Sequence, residues 1–225
     1  MTEVKPRVFS ADVDVGPRSL PGALAVPEKP FGLVVFAHGS GSSRFSPRNA
    51  YAARVLQERG FATLLFDLLT EAESADRRNV FDIDMLARRV SEAIDWARAD
   101  ARTRTLPIVL FGASTGAGAA LAAAAGHPTA VAAVVSRGGR PDLAGAALAR
   151  VRAPTLLIVG GDDTKVIALN RAAQAQLRCE SELAIIPGAG HLFEEPGTLD
   201  EALAAASAWF EAHLQGQSDE HAAVS

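Results

Sequence analysis

The chain has 225 residues, 48% of them hydrophobic and 21% charged, with a formal net charge of −4. That is enough chain for one domain to build a core without staples, and the lone cysteine, Cys179, excludes an intramolecular disulfide. No block of like charge points to nucleic acid or a membrane surface, the longest apolar runs fall far short of the ~20 residues of a membrane span, and MTEVKPRVFS lacks the apolar core of a secretory signal.

In chain order, strands are predicted near Val8–Val15, Ser19–Val26, Gly32–Ala37, Ala62–Phe66, Pro107–Phe111, Ala130–Ser136, Thr155–Val159 and Glu182–Ile186. Four of these segments, GLVVFAH, TLLFD, PIVLFG and PTLLIVGG, are apolar without alternation, as strands covered on both faces are. The first two strands are interrupted by Gly16-Pro17 and Pro21-Gly22 and read as an antiparallel edge hairpin.

Helical patterns fill the gaps. They are Arg48–Arg59 after Ser46-Pro47, Ile83–Arg98, the Ala/Gly-rich Ser114–Ala125, Leu143–Val151, Ile167–Leu177 and Leu199–Leu214. Repeated strand–helix alternation predicts a doubly wound, mostly parallel α/β sheet of about eight strands with helices on both faces. A barrel would need more βα units. One domain over residues 1–215 and a polar tail at 216–225 are expected.

Chemistry concentrates in the turns after strands. Gly112-Ala113-Ser114-Thr115-Gly116 stands between a buried strand and a helix, the context in which G-x-S-x-G exposes a nucleophilic serine on a sharp turn. The two glycines lie where a Cβ would collide with neighbouring backbone, and the helix N-terminus favours developing negative charge. A serine needs a base, and the base needs an orienting carboxylate. His191, after the eighth strand, alone of the five histidines has the right order and loop setting. Asp162 and Asp163, after the seventh strand, both qualify as the acid, and one of them could instead cap the following helix. The loop FAHGSGSSR (36–44) offers the Ser40 N–H as one oxyanion donor, Thr115 N–H being the other, with His38 ordering the loop.

The segments HGSGSS (38–43), GASTG (112–116), GGDDTKV (160–166) and GAGHLFEEPG (188–197) together resemble the α/β-hydrolase superfamily, and within it the small dienelactone hydrolase-like group. They span most of the chain in the expected order. The resemblance implies the α/β-hydrolase fold and a Ser114–Asp163–His191 triad. Asp163 is preferred because relatives show G-x-x-D-x-x-V, which falls here on Gly160, Asp163 and Val166. Dienelactone hydrolases proper carry a cysteine nucleophile, whereas this chain has Ser114.

The expected activity is hydrolysis of a small carboxylic ester, thioester or lactone through an acyl-enzyme. An acyltransferase using the same triad and a non-catalytic binding protein on the same fold are the alternatives. No metal or organic cofactor is implied, since no zinc-spaced Cys/His set and no dinucleotide fingerprint occurs. No large cap domain fits, and Leu68–Asn79 is the longest loop over the site. Arg137 and Arg140, after the sixth strand, are candidate contacts for an anionic substrate. A small acyl substrate, with neither nucleic acid nor membrane as a partner, a cytoplasmic location and a monomer or homodimer complete the expectation.

Overall fold

The computed structural model describes residues 7–222. Its centre is one eight-stranded sheet built from β1 (Val8–Val15), β2 (Leu20–Pro27), β3 (Gly32–Ala37), β4 (Phe61–Phe66), β5 (Ile108–Ala113), β6 (Val131–Arg137), β7 (Thr155–Gly160) and β8 (Ser181–Ile186). The spatial order is β1-β2-β4-β3-β5-β6-β7-β8. The first two strands form the antiparallel hairpin that opens one edge, β2 pairs antiparallel with β4, and every later pairing is parallel. Of the four apolar runs without alternation, the strands β3, β5 and β7 are buried along their whole length and β4 at every residue but Leu65; β6 is buried throughout as well.

Helices cover both faces. α1 (Pro47–Glu58) and α6 (Thr198–Ala222) lie on one side, where Ala52, Leu56, Leu203, Ala206 and Phe210 pack on Val34, Phe36 and Phe111. On the other side, α3 (Ile83–Ala99) and α4 (Thr115–Gly126) pack on Leu33, Val35 and Leu110. The Ala/Gly composition of α4 serves this position: small side chains let it lie close to the sheet and α3 at once. α5 (Thr164–Gln174) connects β7 to β8.

Three sequence expectations are modified. Leu68–Asn79 is not a plain loop: Thr70 closes a capping box with Glu73 and starts the short helix α2 (Glu71–Ser74), and a 3₁₀ turn follows at Asn79–Phe81. The helix expected at Leu143–Val151 is a 3₁₀ segment, Pro141–Arg150, broken at Gly145, which sits at φ 51°. Helix α6 continues through Ala222 into the expected polar tail, whose residues 223–225 lie outside the described residues. No helix among the described residues is long and apolar enough to cross a membrane.

Candidate active site

Because β3, β5, β7 and β8 run parallel, the turns that leave them open at the same end of the sheet. This brings together residues far apart in the chain, in the crevice outside the carboxyl ends of the strands.

Ser114 occupies the turn between β5 and α4 at φ 50° and ψ −123°, a region that side-chain-bearing residues rarely visit. Such a conformation costs about 1–3 kcal/mol and persists only where its surroundings enforce it. The enforcement here is local. The Ser114 carbonyl accepts from Ala117 N at 3.1 Å and from Arg140 N at 2.9 Å. A Cβ at Gly116 would fall 2.1 Å from the Ala37 carbonyl oxygen, and one at Gly112 would fall 2.5 Å from Ala117 Cα. Only glycine at both positions lets the turn close this tightly.

His191 lies in the loop between β8 and α6, and its Nδ1 is 2.7 Å from Asp163 Oδ2. A carboxylate accepts only, so Nδ1 carries a hydrogen, and in the neutral ring the lone pair then lies on Nε2. The imidazole is 40% exposed and the carboxylate 15%. Asp163 is the N-cap residue of α5, yet its side chain makes no capping bond; its oxygen goes to the histidine instead. Asp162 is exposed, and its backbone N–H donates to the Ala189 carbonyl at 3.0 Å. Of the two aspartates, then, Asp163 is the one beside His191. Among the described residues no hydrogen bond joins Ser114 Oγ to His191.

The residues after His191 hold the loop in shape. Glu195 folds back so that its carboxylate accepts the Gly190 N–H at 3.0 Å, which holds its carboxyl below the usual range. Phe193, at φ 55°, buries its ring against the α1/α6 side of the sheet. These contacts give a physical reason for the His-Leu-Phe-Glu-Glu-Pro run.

The loop after β3 is held by His38, as expected. Its Nδ1 donates to the Gly39 carbonyl at 3.0 Å, and its Nε2 accepts the Leu68 N–H at 3.1 Å. Both bonds require the neutral ring, and burial pushes its pKa below the ordinary histidine value. Sequence reasoning missed a second tie: the Arg44 N–H donates to Asp67 Oδ1 at 2.7 Å while the guanidinium pairs with Oδ2. No spacing signal links two residues in different loops. The Ser40 N–H donates to Thr115 Oγ1 at 2.9 Å, so it is already engaged. A cavity of about 480 Å³ opens beside Gly39 and Ser40, walled by Leu68, Leu69, Val80 and Arg44. It borders the loop rather than Ser114 or His191 themselves.

The two arginines part company. Arg140 forms a two-pronged pair with Asp142, both bonds 2.8 Å, so its charge is answered. Arg137 is 7% exposed; among the described residues its guanidinium has Asn49 Oδ1, at 3.4 Å, as its one hydrogen-bond partner, and its buried Nε has none. No carboxylate among the described residues lies within ion-pair distance of it. Burial and the nearby Arg48 charge push its pKa down to about 10. Arg137 pairs in register with Ala113, the residue before Ser114. Cys179 is half-buried at the turn before β8. No cluster of three or more metal-ligating side chains occurs among the described residues.

Residues 31–213 match the family described as alpha/beta hydrolase domain. A crystal structure of dienelactone hydrolase from Anabaena variabilis is 53% identical, with TM-score 0.89, over 93% of this chain and 99% of that one. Est1E from Butyrivibrio proteoclasticus shares the fold at 16% identity and TM-score 0.74, over 92% of this chain and 99% of that one. The chain therefore belongs to the α/β-hydrolase family, in its dienelactone hydrolase-like group. Two curated relatives from Mycobacterium tuberculosis, provisionally named phosphoribosyl transferases, are 58% identical over 204 residues, 91% of this chain. The chain spans 46% of their length, so their name describes proteins of which it matches about half.

Proposed function

We propose that the chain is a serine hydrolase of small carboxylic esters, thioesters or lactones, acting through an acyl-enzyme on Ser114. The observation that carries the reading is the 2.7 Å bond between Asp163 and His191, which leaves Nε2 free to accept a proton. The strained turn at Ser114 and the kinship with the dienelactone hydrolase of Anabaena variabilis support it.

In this cycle Ser114 Oγ attacks the acyl carbon while His191 Nε2 takes its proton. Asp163 keeps the ring in the required tautomer and stabilises the imidazolium that forms. Thr115, at the start of α4, donates to the charge on the former carbonyl oxygen, with the Gly39–Ser40 loop packed beside it. The imidazolium then protonates the leaving group, and a water activated by the same Nε2 releases the acid.

The cavity beside Gly39 receives part of the substrate; Leu68, Leu69 and Val80 give it an apolar wall suited to a short hydrocarbon or aryl portion. Arg137 is the contact for a negatively charged group. Arg140, answered by Asp142, takes a lesser part.

Labelling with a fluorophosphonate probe, followed by a panel of short-chain esters, tests the reading. Ser114 becomes labelled, and Ser114→Ala loses both labelling and several orders of magnitude of hydrolysis. Ester hydrolysis that survives Ser114→Ala at the wild-type rate would refute it.

A further inference from the structure

The Ser40 amide, which the sequence suggests as an oxyanion donor, spends its hydrogen on Thr115 Oγ1 at 2.9 Å. That bond uses a lone pair of the hydroxyl oxygen and leaves the hydroxyl's own hydrogen to be donated elsewhere. Thr115 is 5% exposed, and among the described residues no protein acceptor receives that hydrogen. A buried donor without an acceptor carries a desolvation penalty that an arriving acceptor would relieve.

The surroundings say where such an acceptor would sit. Thr115 is the first residue of α4, so its backbone N–H also lacks a partner within the helix. A Cβ placed on Gly39 would lie 2.8 Å from Ser114 Cβ and 3.6 Å from Ser114 Oγ. The Gly39–Ser40 backbone is thus pressed against the serine, and the bond from Ser40 to Thr115 closes the same small space.

We infer that the Thr115 hydroxyl is itself an oxyanion donor, working beside the Thr115 N–H, and that the Ser40 amide acts through it by polarising it. The inference rests on the reading of Ser114 as nucleophile. As the bond from Ser114 Oγ to the acyl carbon forms, the serine proton passes to His191 Nε2. The π pair of the carbonyl moves onto its oxygen, which accepts from Thr115 N–H and Oγ1–H. When the intermediate collapses the pair returns, and the leaving group departs with the proton from His191. Thr115 changes neither charge nor bonding. The relay from Ser40 N–H through the hydroxyl to the oxyanion strengthens as charge develops, because hydrogen bonds in a chain polarise one another.

Steady-state hydrolysis of a short p-nitrophenyl ester by Thr115→Val and Thr115→Ser tests this. Valine keeps the shape and loses the hydroxyl; serine keeps the hydroxyl. The expected result is a fall in kcat of about 100-fold for Thr115→Val, with KM within about twofold, and near-native kcat for Thr115→Ser. A trifluoromethyl ketone, which forms a stable hemiketal on a serine, binds Thr115→Val more weakly by a matching factor. If Thr115→Val does not fold, Thr115→Ala gives the same comparison. A loss smaller than tenfold, or a gain, overturns the inference, since it means that the hydroxyl merely competes for the Ser40 amide. Hydrolysis that survives Ser114→Ala is a different failure, that of the nucleophile assignment.

Discussion

Arg44 and Asp67 close the loop after β3 onto the loop after β4: one carboxylate takes the Arg44 backbone N–H at 2.7 Å and the guanidinium as well. Both side chains are about one-fifth exposed, so the pair is only partly screened by water. Asp67→Ala leaves a partly buried guanidinium and a backbone donor unanswered, a loss of about 1–3 kcal/mol. Thermal melting should show a Tm lower by several degrees, and kcat should fall with it because the Gly39–Ser40 turn loses its anchor. A variant with native Tm and native kcat would remove this role.

Asp163→Asn preserves size but no longer holds the Nδ1–H tautomer of His191. By analogy with other triads the loss in kcat is on the order of 10⁴. Asp162→Asn should leave kcat within about twofold, because the exposed Asp162 contributes only its backbone N–H to the turn. Kinetics of the two variants side by side assign the acid; equal losses would overturn the choice of Asp163.

His38 links stability to pH. Its native pKa lies below the ordinary histidine value of 6.5 because burial disfavours the charged ring. The unfolded chain therefore binds more protons than the native one below pH 6.5, and stability rises with pH there. The contribution of His38 is present in full above pH 6.5 and is lost as pH falls through the lowered native value. In His38→Gln the decline of Tm between pH 7.5 and pH 5 should be shallower than in wild type. Parallel declines would show that another group carries the effect.

Arg137→Met tests the buried cation. Removing a buried charge that has no carboxylate partner among the described residues, and filling its place with an apolar chain, is expected to leave Tm unchanged or raise it. For an ester carrying a free carboxylate, KM should rise about tenfold, on the order of one charge-assisted hydrogen bond, while a neutral ester of the same size is little affected. Equal effects on both esters would exclude Arg137 as the anion contact.

Much of this could be read from the sequence because the decisive signals are local. The unalternating apolar runs mark the parallel strands to within about two residues of their observed ends. Gly112 and Gly116 flank Ser114 for a steric reason that the motif itself states. What escaped depends on contacts between loops. The Arg44–Asp67 pair and the Ser40–Thr115 bond join residues 23 and 75 positions apart, with no spacing that announces them. The choice between Asp162 and Asp163 needed a family pattern, since adjacent aspartates in a turn are equivalent until the backbone aims one of them. In the sequence Arg137 and Arg140 are two arginines of one turn, and only the fold shows that Arg140 has a carboxylate while Arg137 has none among the described residues.

The turns carrying Asp163 and His191 are laced together by their backbones. Gly161 N–H donates to the Ile186 carbonyl at 2.7 Å, and Asp162 N–H to that of Ala189 at 3.0 Å. The proposed acid and base therefore ride on one stitched unit, whereas Ser114 rides on the β5–α4 elbow. Breathing of the sheet end would change the reach between serine and imidazole before it disturbed the imidazole–carboxylate pair. A graft of this chemistry onto another scaffold would need to carry the two C-terminal turns as a block, and could tune the elbow separately.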